Sequence, residues 1–188
     1  MNDNTFYSLS DLINEYNNNL LNSCEGYGKR ELKFFEEKVR RLRSKDVEKE
    51  IIEYINGNLV TKKWENAQQW IGSILTHPST NYIEPLMKIL REQDSNAPHY
   101  WALDVIEYMP ESMVEEALPE LKKLVIPFNP SWLKEVIEKY FETIVFNDEG
   151  AEDFISTLVD SSNEMVKYRA KYWMETFEVE RREDAEED

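Results

Sequence analysis

The sequence predicts an all-α protein, a short α-solenoid of antiparallel helical hairpins with an N-terminal helical cap. Three observations predict it. The 188 residues include 5 Gly and 7 Pro, too few for a sheet-rich chain with many tight turns. Glu, Lys, Leu, Ile and Met, all good helix formers, are abundant. An apolar pattern of helical spacing also recurs about every 35 residues, the mark of stacked repeats.

Ala67, Trp70, Ile71 and Ile74 in WENAQQWIGSIL have apolar counterparts in Ala102, Val105, Ile106 and Met109. Leu86, Ile89 and Leu90 in NYIEPLMKILRE are matched at the same offset by Leu121, Leu124 and Val125. A third unit places Ile137, Tyr140, Phe141 and Ile144 on its first helix, and Ile155, Leu158 and Val159 on its second. A closing helix over 164–177 repeats the first-helix pattern with Ala170, Trp173, Met174 and Phe177. Spacing of i, i+3, i+4 gathers each set on one face, which neighbouring hairpins must cover.

Short polar connectors such as HPSTN, EQDSN, IPFNP, NDEG and DSSN separate the helices. Asn96 with Pro98, and Asn129 with Pro130, read as caps followed by a first-turn proline. Pro119 removes a helical hydrogen bond. Either the helix over 112–125 bends there, or a short turn precedes a helix beginning near Leu118. Ala67, Ala102 and Ala170 are small where helices approach closely. The stretches NAPHYWALDVIEYM and EMVKYRAKYWMETF therefore read as core seams, not as a cofactor box or a stacking platform for bases.

ALPELKKLV (117–125) and IEPLMKIL (83–90) resemble the second helix of HEAT-type repeats, which often carries an early proline. EMVKYRAKYWMETF, with Val166, Arg169 and Ala170, resembles the first helix of the same repeat. The resemblance covers about residues 64–177. Earlier units lack the Arg of Val-x-x-Arg-x-Ala, so the repeats are degenerate. The likeness implies a fold and is nearly silent on function.

Residues 1–63 read as a helical cap on the stack. Ser8, Ser10 and Asp11 start a first helix with Leu9, Leu12, Ile13, Tyr16 and Leu20 apolar; Gly26 and Gly28 break the chain. KRELKFFEEKVRRLRSK follows as a charged helix with Leu32, Phe35, Val39 and Leu42 in one stripe. A third helix is expected between Asp46 as N-cap and Gly57 as C-terminal stop. Lys38, Arg40, Arg41, Arg43 and Lys45 are interspersed with Glu36 and Glu37, a pattern that fits a solvated helix face better than a nucleic-acid patch. The last segment, 178–188 (EVERREDAEED), is acidic and expected to be disordered.

The formal net charge of −16 is unevenly spread. Residues 1–63 hold 11 acidic and 11 basic side chains, 64–177 hold 20 and 9, and 178–188 hold 7 and 2. A field of that sign repels phosphate backbones and attracts basic partners. No stretch approaches the ~20 apolar residues of a membrane span, and the start lacks a secretory pattern. With Cys24 alone there is no internal disulfide, so a cytoplasmic setting is expected.

Chemistry is hard to find. No phosphate-binding glycine loop and no H-E-x-x-H is present. Cys24 has no basic neighbour, His77 reads as a connector residue and His99 as a first-turn surface group. The chain reads as non-enzymatic, with no cofactor, metal, nucleic-acid or membrane partner. Its size and acidity resemble a bacterial immunity protein or antitoxin. That likeness implies a protein that neutralises a basic toxin domain by covering its substrate-binding surface. The nominated contact residues are the carboxylates Glu111, Glu115, Glu116, Glu120, Asp148, Glu149, Glu152 and Asp153, with Tyr82 as an aromatic anchor. The alternative is a scaffold or adaptor within a larger assembly.

Overall fold

A computed structural model of the chain describes residues 7–22, 29–92, 94, 96–127 and 134–187. The described residues are helical with no strand, which is the predicted class. They divide into two compact units, Met1–Ile89 and Leu90–Asp188.

The first unit opens with α1 (Leu9–Asn22), α2 (Lys29–Val39) and α3 (Ser44–Thr61). A reciprocal cap starts α1: the Asp11 N–H donates to Ser8 Oγ (3.1 Å), and the Ser8 N–H donates to Asp11 Oδ2 (3.1 Å). Hydrogen bonds from the Ser8 N–H and then the Ser8 side chain hold the Asp11 carboxyl below its usual range. Two further N–H groups, of Leu9 and Ser10, donate to the Glu50 carboxylate of α3 at 3.2 and 3.0 Å. One acidic side chain thus caps a helix 40 residues away and fixes the α1–α3 crossing.

Leu9, Leu12 and Ile13 of α1, Phe35 and Val39 of α2, and Val47, Ile51 and Ile55 of α3 form the core of this part. Tyr16 leans on Phe35 with ring centroids 5.0 Å apart. The expected α2 stripe is only half realised, because Leu32 is exposed and Leu42 half-buried. Two helix limits also differ from expectation. Asp46 lies in the first turn of α3 and pairs with Arg43 (2.9 Å), the residue at the N-cap. Gly57 lies inside the helix; the stop is Lys62, in the left-handed region at φ 57°, with its N–H on Asn58 O.

WENAQQWIGSIL does not make one helix. It splits into α4 (Ala67–Gly72) and a 3-10 turn at Ser73–Thr76. After a second 3-10 turn at Thr80–Tyr82 comes α5 (Ile83–Arg91), within which the two units meet. His77 joins three elements. Its Nε2–H donates to the Val39 carbonyl (2.8 Å) at the end of α2, and its Nδ1 accepts from Ser44 Oγ (3.0 Å) at the start of α3. The expected connector residue is therefore a buried staple.

The second unit contains α6 (His99–Glu107), α7 (Glu111–Val125), α8 (Lys134–Asn147), α9 (Ala151–Ser156) and α10 (Glu164–Glu187). Helix α8 touches α6, α7, α9 and α10, and it buries Val136, Ile137, Lys139, Tyr140, Phe141, Thr143 and Ile144. Ala102 of α6 and Ala170 of α10 are fully buried, as the core-seam reading expects. Pro119 sits within a continuous α7, on its exposed side, so no separate turn precedes the helix.

Pro98, not Asn96, occupies the N-cap of α6. Asn163 caps α10, its Oδ1 accepting from the Met165 and Val166 N–H groups at 3.1 and 3.4 Å. The acidic segment from 178 continues α10 to Glu187 instead of fraying into coil. It has no glycine or proline, and Arg182 pairs with Glu178 one turn back at 3.6 Å. Cys24, Gly26, Gly28, Asn129 and Pro130 lie outside the described residues.

Gly57 offers a direct test of the α3 assignment. A Cβ built there meets nothing within 4 Å and its φ is not positive, so Gly57→Ala should stabilise the protein by roughly 0.5–1 kcal/mol in urea unfolding. Had the glycine been the helix stop, the substitution would destabilise.

Candidate functional site

Charge follows the division into units. Met1–Ile89 holds 12 basic against 13 acidic side chains, a net of −1; Leu90–Asp188 holds 10 against 25, a net of −15. Most cations of the second unit are engaged internally. Arg91 grips Glu120 with two hydrogen bonds (2.5 and 2.7 Å), Lys122 pairs with Asp148, and Arg169 pairs with Glu138. Arg181 reaches Glu152 at 2.5 Å, tying the distal half of α10 to α9. Lys134, Lys139, Lys167 and Arg182 are paired as well.

This sorts the nominated residues into three groups. Glu111, Glu115 and Glu116 on α7, with Glu149 and Asp153 at α9, are exposed. Glu120, Asp148 and Glu152 are half-buried and carry internal cations, so their charge is largely neutralised where it stands. Tyr82 must be corrected outright. It is 0% exposed, in the core of the first unit, and cannot serve as a surface anchor. The turn at Thr80–Tyr82 presents its ring inward, an orientation that a tyrosine in a short connector does not reveal in sequence.

The most heavily charged internal cluster centres on Lys139. Its side chain is 7% exposed, yet its Nζ lies 2.8 Å from Glu107 Oε2, 3.0 Å from Asp104 Oδ1 and 3.9 Å from Glu142 Oε2. Burial disfavours the ammonium, but the bonds to Glu107 and Asp104 outweigh that and hold it above the ordinary lysine range. The ammonium also lies 5.9 Å from the Tyr100 ring centre and 5.6 Å from that of Tyr108. Three carboxylates meet one cation, so the spot keeps a net charge of −2.

Sequence reading missed this group. Its signals were present: a lysine within the apolar run VIEKYFETI, and Tyr100, Asp104 and Tyr108 at i, i+4 and i+8 on one side of α6. His99 was also misplaced. It is buried, with Nε2–H donating to the Glu92 carbonyl (2.8 Å), because the chain before α6 folds back over it. Burial lowers its pKa despite nearby Glu92 and Asp94. Among the described residues no group of three or more His, Cys, Asp or Glu is gathered as a metal site, and no helix is long and apolar enough to cross a membrane. No family model, curated protein or solved structure matches the chain.

Removing the cation should expose what it neutralises. Lys139→Met leaves Asp104 and Glu107 facing each other without a partner, and should cost about 3–5 kcal/mol at neutral pH. Removing the two carboxylates as well, in Lys139→Met/Asp104→Asn/Glu107→Gln, should recover part of the loss. Equal losses in the single and triple variants in urea unfolding would refute this account.

His99 gives a pH test. Its folded pKa is lowered, so the stability it contributes is present above the unfolded value of 6.5 and is lost as pH falls below it. Between pH 7.5 and 5.5, wild type should lose more stability than His99→Gln; parallel curves would contradict the burial argument.

Proposed function

We propose that the chain is a non-enzymatic protein-binding module whose acidic second unit docks a basic protein. Within that reading, an immunity- or antitoxin-type inhibitor of a cationic toxin domain, acting in the cytoplasm, is the role it fits best. One observation carries the proposal. In Leu90–Asp188 most cations are bound to carboxylates of the same unit, while Glu111, Glu115, Glu116, Glu149 and Asp153 remain exposed and without an ion-pair partner among the described residues. A surface of that kind steers a basic partner and repels nucleic acid and anionic lipid.

The helices fit a degenerate HEAT-like arrangement. Packing of α6 on α8 and of α8 on α10 supports it, because these are the first helices of successive hairpins in the repeat pattern. In such an arrangement the second helices α7 and α9 carry the docking carboxylates on one side.

Affinity capture from the native host, followed by kinetics with the purified partner, tests the proposal. The partner should be strongly basic. Its association rate should fall on the order of 10-fold or more between about 50 mM and 500 mM salt. Charge reversal at Glu115 and Glu116 should slow association by a comparable factor while leaving the thermal midpoint within a few degrees. A neutral or acidic partner, or a rate indifferent to salt, would overturn it.

A further inference from the structure

We infer that the stripe Tyr100–Asp104–Tyr108, backed by Lys139, is the anchor point of this acidic unit and receives an arginine side chain from the partner. The inference rests on the proposed docking of a basic protein and names where, and through which chemistry, the contact is made. Four features converge.

Tyr108, at the C-cap of α6, is 64% exposed and Tyr100, in its first turn, 38%, although Ala102, Leu103, Val105 and Ile106 between them are buried. Exposed tyrosines add contact area to an interface at little entropic cost, since only two side-chain torsions must be fixed. The rings are also held in place. Lys139 lies within 6 Å of both centres, and its pairs with Asp104 and Glu107 lock it to α6. A rigid site loses less freedom on binding.

The residual charge is negative. Lys139 is ion-paired with Glu107 and Asp104 at 2.8 and 3.0 Å, but Glu142 stands 3.9 Å off, with a side chain that is 41% exposed. A carboxylate is thus left within 4 Å of an ammonium that itself lies within 6 Å of two aromatic rings, and carboxylate and ring are the pair of features a guanidinium recognises: its plane stacks on a tyrosine while its edge pairs with the carboxylate. Lysine suits the spot less well, because an ammonium is more strongly hydrated and cannot stack. A second copy of this chain is disfavoured as occupant, since its own second unit carries −15.

The test uses the full chain and a hexa-arginine peptide amide as probe, with hexa-lysine for comparison, followed by fluorescence anisotropy at low salt. Hexa-arginine should bind more tightly than hexa-lysine. Tyr108→Ala and Glu142→Gln should each weaken it about three-fold or more, and Tyr108→Phe should not. Glu149→Gln just before α9 and Asp153→Asn on it should have smaller effects. Thermal melts followed by circular dichroism should leave Tyr108→Ala folded, given its exposure. Binding that is weakened equally by the α9 variants and by Tyr108→Ala would overturn the stripe and leave the acidic docking surface standing. No binding of either peptide would overturn both.

Discussion

The second unit is organised by the requirement that a charged lysine be buried in its central helix. Helix α8 is packed against four others, so each side chain it buries must be apolar, hydrogen-bonded or neutralised. Lys139 is the one Lys, Arg, Asp or Glu that is fully buried among the described residues. An unpaired ammonium at that depth would be too costly to keep charged. Asp104 and Glu107 therefore have to lie where they do, which fixes the rotation of α6 about its own axis. That rotation then decides which α6 residues face outward, and places Tyr100 and Tyr108 at the surface. Position, register and exposed chemistry descend from one ion cluster.

The same logic governs the rest of the unit's charge. Arg91, Arg169 and Arg181 each reach a carboxylate on another helix, and Lys122 reaches Asp148 in the connector between α8 and α9, so each clips two elements together. Exposed pairs of this kind contribute little individually, roughly 0–1 kcal/mol. Their larger effect is on the field. By holding cations inside the unit they leave its surplus of carboxylates at the surface, where self-repulsion opposes compactness. A fold tolerates that opposition more readily when something else, such as a basic partner, relieves it.

The helices were legible in the sequence because their apolar residues repeat with helical period, and that period is a local property. Buried Ala102, Ala170, Ile106 and Leu121 were identifiable from spacing alone. Helix ends were less so. Gly57 resembles a stop, but a helix continues through glycine when neighbouring packing holds it, and Ile55 is buried two residues before it. Tyr82 and His99 failed for a related reason: each lies in or beside a connector, and its burial depends on how the chain folds back over it. The candidate site was hardest to see. Lys139 and its carboxylates are 32 and 35 residues apart in sequence; the repeat aligns α6 with α8, but an apolar pattern does not say which charged side chains of the two helices meet.

That separation bears on how the molecule works. The nominated carboxylates of α7 and α9 are local and repeated, so they create a broad field with little shape. The Tyr100–Asp104–Tyr108 stripe is assembled by tertiary structure, so its geometry exists only in the folded unit. A field attracts any basic surface; a rigid aromatic and anionic spot discriminates among them. Under the proposed docking of a basic protein, the two act at different stages of one encounter: the diffuse charge of −15 governs how fast the partner arrives, and the ordered spot governs how long it stays. A chain with only the first would bind basic proteins indiscriminately, and the buried lysine is what supplies the second.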